Sequence, residues 1–262
     1  MKSNEYKKYL KGIKINRLLI HLTQLLILFF IIFIWEYLSK KNIINPFIYS
    51  SPSRIIKTII GLYNENNLFN HIWITIYETI ISFMLATLLG TLIAIILWYS
   101  NFLYKVIEPY LTVLNSLPKV ALGPIIIIIS GANIKSIIIM ALLISLVITI
   151  TNVYSGFVNT DKNMIKLMNS FHASKKQILK YLIIPYNYHV IVSSLKINVG
   201  MSMVGVIMGE FLVSKAGIGY LINYGSQVFN LNLVFAGIVI LLVVSYLMYL
   251  IVLYIEKKLI NK

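Results

Sequence analysis

The chain has 262 residues, of which 59% are hydrophobic and 12% are charged, and its mean hydropathy of +0.85 lies outside the range of soluble globular domains. Its formal net charge is +15, but the basic residues form no stripe interleaved with aromatic residues, which argues against nucleic-acid binding. Cysteine is absent, which excludes disulfides and thiolate metal sites. The composition therefore predicts an integral membrane protein.

The apolar runs of the sequence have the length of membrane-spanning helices. About 20 apolar residues are needed to cross a hydrocarbon core of about 30 Å, and alternation at period two, which a transmembrane barrel requires, is missing from these runs. A signal peptide is not expected, because the first run is too long and lacks a small-residue cleavage site. We predict an all-α polytopic membrane protein with six spans, at about 18–38, 73–99, 103–129, 133–155, 187–213 and 231–256.

The segment between the first two spans is polar and amphipathic. In 51-SPSRIIKTIIGLYNENN-67, the apolar residues recur at helical spacing on one face, and this pattern is typical of a helix that lies along a membrane surface. The residues on this face are Ile55, Ile56, Ile59, Ile60 and Tyr63.

The third span is interrupted at 116-SLPKVALGP-124. Pro118 and Pro124 each remove a backbone hydrogen bond, so the helix is expected to kink or break there. A broken helix at membrane depth is tolerated where it faces protein or a water-filled cavity, and such breaks often mark transport pathways.

The distribution of lysine and arginine orients the chain. With the N-terminus inside, the inner segments hold 15 of these residues and the outer segments hold six. Because basic residues collect on the cytoplasmic side, both termini are predicted to be cytoplasmic.

A basic segment, 164-MIKLMNSFHASKKQILKYLIIP-185, connects the fourth and fifth spans. Met164, Met168 and Phe171 share one helical face, and a second short amphipathic helix follows, so two helices are expected to meet near His172. On periodicity alone, a connecting loop that lies on the membrane surface explains the segment equally well.

The fifth span is the richest in small and polar residues. Its glycines are expected to allow close helix packing, and Lys196 either snorkels to the cytoplasmic headgroups or faces a cavity. The polar side chains and glycines of this span are Ser193, Ser194, Asn198, Ser202, Gly200, Gly205 and Gly209.

No catalytic or metal site is evident in the sequence. Carboxylates do not occur in close pairs, the four histidines have no metal-ligand spacing, and no phosphate-binding glycine loop is present. The histidines, His21, His71, His172 and His189, are interpreted as structural, and Glu210 either supports the outer end of the fifth span or is an interfacial carboxylate in water.

Three motifs resemble the permease subunits of ATP-binding-cassette importers, in particular the nitrate, sulfonate and taurine branch. They are 117-LPKVALGPIIIIISG-131, 210-EFLVSKAGIGYLI-222 and 234-VFAG-237, and the resemblance covers about four-fifths of the chain, from Pro52 onward. The family's cytoplasmic signature is degenerate here. Alignment on Pro185 puts its Glu-Ala-Ala at 166–168 and its glycine at His172, so the spacing is retained while these residues differ.

The resemblance implies a type I importer permease fold and a set of partners. Such permeases pair as dimers, rest their cytoplasmic helices in a groove of an ATPase subunit and receive solute from an extracytoplasmic binding protein. Residues 1–72 would form the N-terminal part, with the first span and the interfacial segment. Residues 73–262 would form the permease core, with coupling helices at about 161–182.

The resemblance also implies roles for individual residues. ATPase coupling would fall to Met164, Met168, Phe171, His172, Ala173 and Ser174. The translocation path would include Pro118, Lys119, Ser194, Lys196, Asn198 and Ser202. Gate support would come from Glu210, Gly217 and Gly219. His172 would either adopt the positive φ of the family glycine or bond to the ATPase.

The implied protein is no enzyme and needs no cofactor or metal, because ATP is bound by the partner subunit. It would lie in a bacterial plasma membrane, as a homodimer or with an unlike second permease subunit. The solute is left open among sulfonates, nitrate, taurine and vitamin precursors. A secondary ion-coupled transporter is the alternative, and it would require intramembrane carboxylates placed for coupling. A membrane-embedded enzyme would require a nucleophile or metal cluster that the sequence lacks.

Overall fold

The computed structural model describes residues 4–65 and 67–260, and within these residues the regular secondary structure is helical. A 3₁₀ turn spans Lys119–Leu122, and a π-helical turn spans Leu179–Ile183. The α-helices are α1 (Asn4–Lys40), α2 (Pro46–Tyr49), α3 (Pro52–Asn64), α4 (Leu68–Tyr99), α5 (Asn101–Ser116), α6 (Gly123–Ser130), α7 (Ile134–Val158), α8 (Lys162–Ser170), α9 (Lys175–Ile178), α10 (Ile184–Tyr186), α11 (Tyr188–Val213), α12 (Ile218–Gln227) and α13 (Leu231–Ile260).

The helices agree with the predicted all-α polytopic fold. Five of them, α1, α4, α7, α11 and α13, are long and apolar enough to cross a membrane, and a sixth span is formed if the bent pair α5 and α6 is counted as one. The sequence did not predict α12, a ten-residue helix between the last two spans.

The predicted break in the third span is confirmed. Helix α5 ends at Ser116, and the two halves of the span are bent by 95° relative to one another. The cause is local, because a proline disfavours the helical conformation of the residue before it. Leu117, which precedes Pro118, is extended, with φ −68° and ψ 134°.

Helix α7 lies at the centre of the bundle and packs against both α4 and α11. The approach to α11 is close because two glycines of α11 face α7. A Cβ atom at Gly209 would lie 2.9 Å from the Ile137 Cα, and one at Gly205 would overlap the backbone of Ala141. Close packing therefore explains these glycines.

The remaining long helices surround this centre. Helix α13 packs against α11, α12 and α3, whereas α1 packs against α2 and α3 and places Trp35 near Phe235 of α13. Helix α3 is amphipathic, as predicted, and it buries Ile55 while Ile56, Ile60 and Tyr63 stay exposed. Its position along a membrane surface stays a prediction.

Candidate functional site

The segment between α7 and α11 consists of two short helices with their own caps. The side chain of Asp161 accepts a hydrogen bond from the Asn163 amide at 2.8 Å, which begins α8. Ser174 and Gln177 form a reciprocal capping box that begins α9. Between the helices, His172 has φ +54°, so this histidine adopts the left-handed conformation that the family glycine would provide.

This segment is fixed to the ends of α4 and α7. Ile178 and Ile183 are buried in a cluster with Phe157, and the side chain of Met168 packs against the same cluster. Lys175 places its Nζ 5.9 Å from the centroid of the Trp98 ring, within cation–π range. The two helices are therefore a packed extension of the membrane bundle rather than a free loop.

The outer face of the segment is an apolar ridge formed by Met164, Leu167 and Phe171. These side chains are 43%, 58% and 74% exposed, respectively. The sequence grouped Met168 with Met164 and Phe171, but the structure turns Met168 inward and puts Leu167 on the outer face. The other predicted coupling residues, His172, Ala173 and Ser174, lie in the turn beside the ridge.

The predicted gate residues form a buried cap for α12. Glu210, which is 1% exposed, accepts hydrogen bonds from the Thr75 hydroxyl at 2.6 Å and from the Gly219 amide at 2.5 Å. The Gly217 amide donates to His71 Nδ1 at 2.9 Å. A Cβ at Gly219 would lie 2.7 Å from the Glu210 carboxylate, and Gly217 has φ +111°, so glycine is required at both positions.

The structure also brings a second carboxylate to this cap. Glu78 of α4 is 2% exposed, and its carboxyl group contacts that of Glu210. The sequence analysis found no carboxylate pair, and that expectation is wrong for the folded chain. The two residues are far apart in sequence and meet only because α4 and α11 pack side by side.

Three predicted path residues lie inside the bundle. Ser194, Asn198 and Ser202 are buried, and Asn198 accepts a hydrogen bond from Thr149 at 2.8 Å and donates one to Thr87 at 3.1 Å. This amide therefore ties α11 to α7 and α4. Of the remaining path residues, Pro118 is exposed and Lys119 is half-buried at the break between α5 and α6.

Lys196 forms an ion pair that the sequence analysis missed. Its Nζ lies 3.0 Å from the Glu256 carboxylate on α13, and Ser193 also donates to this carboxylate at 3.1 Å. The Lys196 side chain is 32% exposed and that of Glu256 is 8% exposed. The sequence analysis considered only that this lysine snorkels to the headgroups or faces a cavity. The partner lies on a different span, which no helical periodicity within the fifth span can reveal.

Comparison with known proteins identifies the family. The model of the binding-protein-dependent transport system inner membrane component matches residues 86–261, about two-thirds of the sequence. The chain belongs to this family. Membership implies an ATPase and a binding protein as partners.

Named relatives of this permease transport different solutes. A protein of Bacillus subtilis, provisionally named aliphatic sulfonates transport permease protein SsuC, is 27% identical over 88% of this chain and 84% of its own length. The formylaminopyrimidine transport permease protein ThiX of Halalkalibacterium halodurans is 28% identical over 79% of this chain and 82% of its own. The taurine transport system permease protein TauC of Escherichia coli is 19% identical over 82% of this chain and 80% of its own length.

A solved structure shows the same fold. A chain of the inward-facing MetNI methionine ABC transporter superposes with a TM-score of 0.65 at 16% sequence identity, over 73% of this permease and 95% of that chain. The permease therefore has the fold of an ABC importer membrane subunit.

Proposed function

We propose that this permease translocates a small solute, which an extracytoplasmic binding protein delivers, in an import cycle powered by separate ATPase subunits. The observation that carries the proposal is the apolar ridge of Met164, Leu167 and Phe171. It stands on a short helix that is packed onto the membrane bundle and faces away from it.

The exposed apolar side chains of the ridge are expected to be buried against another subunit. Apolar surface left in water costs about 25 cal/mol per Å², and a groove on an ATPase subunit would remove this surface from water. Three lysines of the turns that follow the ridge, Lys175, Lys176 and Lys180, are exposed. At the rim of an interface, such charges would steer association more than they add affinity. A rigid helix pair can pass a rigid-body movement of the ATPase to the spans.

The rest of the assembly follows from the family. ATP would bind to the partner subunit, so the permease itself would need no cofactor and catalyse no reaction. A second permease subunit, most simply another copy of this chain, would cover the exposed surface of α5, which buries only Leu111 within the chain. We place the protein in a bacterial plasma membrane, with both termini in the cytoplasm.

The solute class is proposed from the relatives. Their names include aliphatic sulfonates, taurine and formylaminopyrimidine, so these names favour small sulfonates and vitamin precursors as candidates. Nitrate is a candidate only through the family resemblance of the sequence. The buried carboxyl pair Glu78 and Glu210 does not favour an ion-coupled transporter, because Glu210 is occupied in capping α12.

The test is replacement of the ridge aromatic. Phe171→Ala should weaken copurification with the ATPase subunit about 30-fold, since truncating a central aromatic at an interface commonly costs about 2 kcal/mol. Phe47→Ala, which removes another largely exposed phenylalanine from α2, is the matched control and should leave the complex intact. Normal copurification and normal solute uptake in the Phe171→Ala permease would show that the segment is only a connecting loop.

A further inference from the structure

A crevice lined by both polar and apolar side chains lies between α5 and α7, apart from the residues assigned above. Its volume is about 240 Å³. The polar side chains that line it are one carboxylate, two phenols, three hydroxyls and one carboxamide, which belong to Glu108, Tyr104, Tyr154, Thr112, Thr151, Ser155 and Asn159.

The α5 side of the crevice is a continuous polar stripe. Tyr104, Glu108, Thr112 and Ser116 are spaced four residues apart and therefore share one helical face. Hydroxyl groups of this stripe bond back to the preceding turn, with Thr112 donating to the Glu108 carbonyl at 3.0 Å. The stripe ends at Ser116, one residue before the break at Leu117 and Pro118, and its first three members line the crevice.

An aromatic pair and a carboxylate face each other in the crevice. The rings of Tyr104 and Tyr154 stack with centroids 4.0 Å apart and an interplanar angle of 16°. The Tyr104 hydroxyl donates to Glu108 Oε1 at 2.8 Å. Glu108 is exposed. Among the described side chains, the ion pairs are Glu36 with Lys40 and Lys196 with Glu256, and Glu108 takes part in neither.

Such a crevice is unsuited to lipid. Ionisable side chains in membrane helices face cavities or partners, because hydrocarbon solvates neither carboxylates nor hydroxyls. Helix α5 buries only Leu111 within the chain, so its polar stripe is not packed into the core of this subunit, and the crevice would lie at the edge of the face proposed above for the second subunit. The end of α7 that lines the crevice leads directly into α8, so the crevice adjoins the coupling segment.

We propose that this crevice is a solute subsite for a small organic cation that carries a planar ring. The inference rests on the proposed function, because it requires the solute to pass along this chain. The carboxylate would pair with the cationic group, the stacked phenols would contact the ring and the charge, and the hydroxyls would orient the remaining polar atoms. Among the solute classes proposed above, the site favours a cationic ring compound over a sulfonate, which Glu108 would repel.

The test uses two single-ring aromatic probes of opposite charge. The full-length permease in nanodiscs is titrated with benzylammonium and with benzenesulfonate, and binding is measured by calorimetry. We expect saturable binding of benzylammonium and at least about tenfold weaker binding of benzenesulfonate.

Two variants separate the charge from the ring. Glu108→Gln keeps an oxygen to accept the Tyr104 hydrogen bond and should weaken benzylammonium binding about 30-fold. Tyr154→Leu keeps an apolar side chain and should weaken it about fivefold. The matched controls, Glu65→Gln and Tyr63→Leu, change the same residue types on or beside α3, away from the crevice, and should bind as wild type does.

Several results would overturn the proposal. These are equal affinity for the two probes, unchanged benzylammonium binding by a folded Glu108→Gln permease, and no saturable binding of either probe up to about 10 mM. If Glu108→Gln fails to fold, the proposal is judged from the affinities of the wild-type and Tyr154→Leu permeases for benzylammonium and benzenesulfonate. The assay needs no ATPase, so a permease that fails to copurify with an ATPase still gives a result here.

Discussion

The Lys196–Glu256 ion pair allows a double-mutant cycle that decides what the lysine does. Lys196→Met removes the cation and leaves the Glu256 carboxylate, which is 8% exposed, with only the Ser193 hydroxyl as a partner. Glu256→Gln removes the charge from the other side. The double variant removes both charges and keeps the volume of the two side chains nearly constant.

The structure sets the expected size of the effect. Breaking a fully buried ion pair from one side costs about 3–5 kcal/mol, whereas an exposed pair contributes about 0–1 kcal/mol. Lys196 is 32% exposed and its partner is nearly buried, which places this pair between the two cases. We therefore expect Lys196→Met to lower the free energy of unfolding by about 2 kcal/mol, and the added Glu256→Gln to restore at least half of this loss.

The assay is thermal unfolding of the purified permease in one detergent, together with solute uptake by the reconstituted importer. Lys215→Met, at an exposed lysine beyond the end of α11, controls for the loss of a positive charge. If Lys196→Met abolishes uptake without loss of stability, and Glu256→Gln does not rescue it, the ion-pair interpretation is wrong and Lys196 acts on the solute path.

Two further predictions concern the buried acids and the orientation. Glu78→Gln should leave the melting temperature unchanged or raised, because it removes the contact between two carboxylates. Glu210→Gln should lower the free energy of unfolding by about 2 kcal/mol relative to Glu78→Gln, since it replaces a carboxylate that accepts hydrogen bonds from both Thr75 and Gly219. Equal thermal stability of the two variants would contradict the assigned roles. For the orientation, single cysteines in this cysteine-free chain should react with an impermeant reagent on intact cells at position 47 but not at position 175, and the reverse pattern would invert the topology.

Sequence alone determined the parts of this protein that depend on local chemistry. Apolar runs of membrane length predicted the spans, because each helix satisfies its own backbone whatever surrounds it. Pro118 predicted the break, since a missing amide and a steric clash act on the neighbouring residue. The helix pair at α8 and α9 followed from the amphipathic pattern of the segment, which is a local property of the sequence.

Only the tertiary structure decided which side chains of different helices meet. Glu78 contacts Glu210, Lys196 pairs with Glu256, and Tyr104 stacks on Tyr154, although the members of each pair lie tens of residues apart. In a membrane protein nearly every face of a span is apolar, so the hydrophobic pattern that reveals the buried face of a soluble helix carries little information. The inner face is selected by the packing of small residues such as Gly205, and that packing exists only once the helices are assembled.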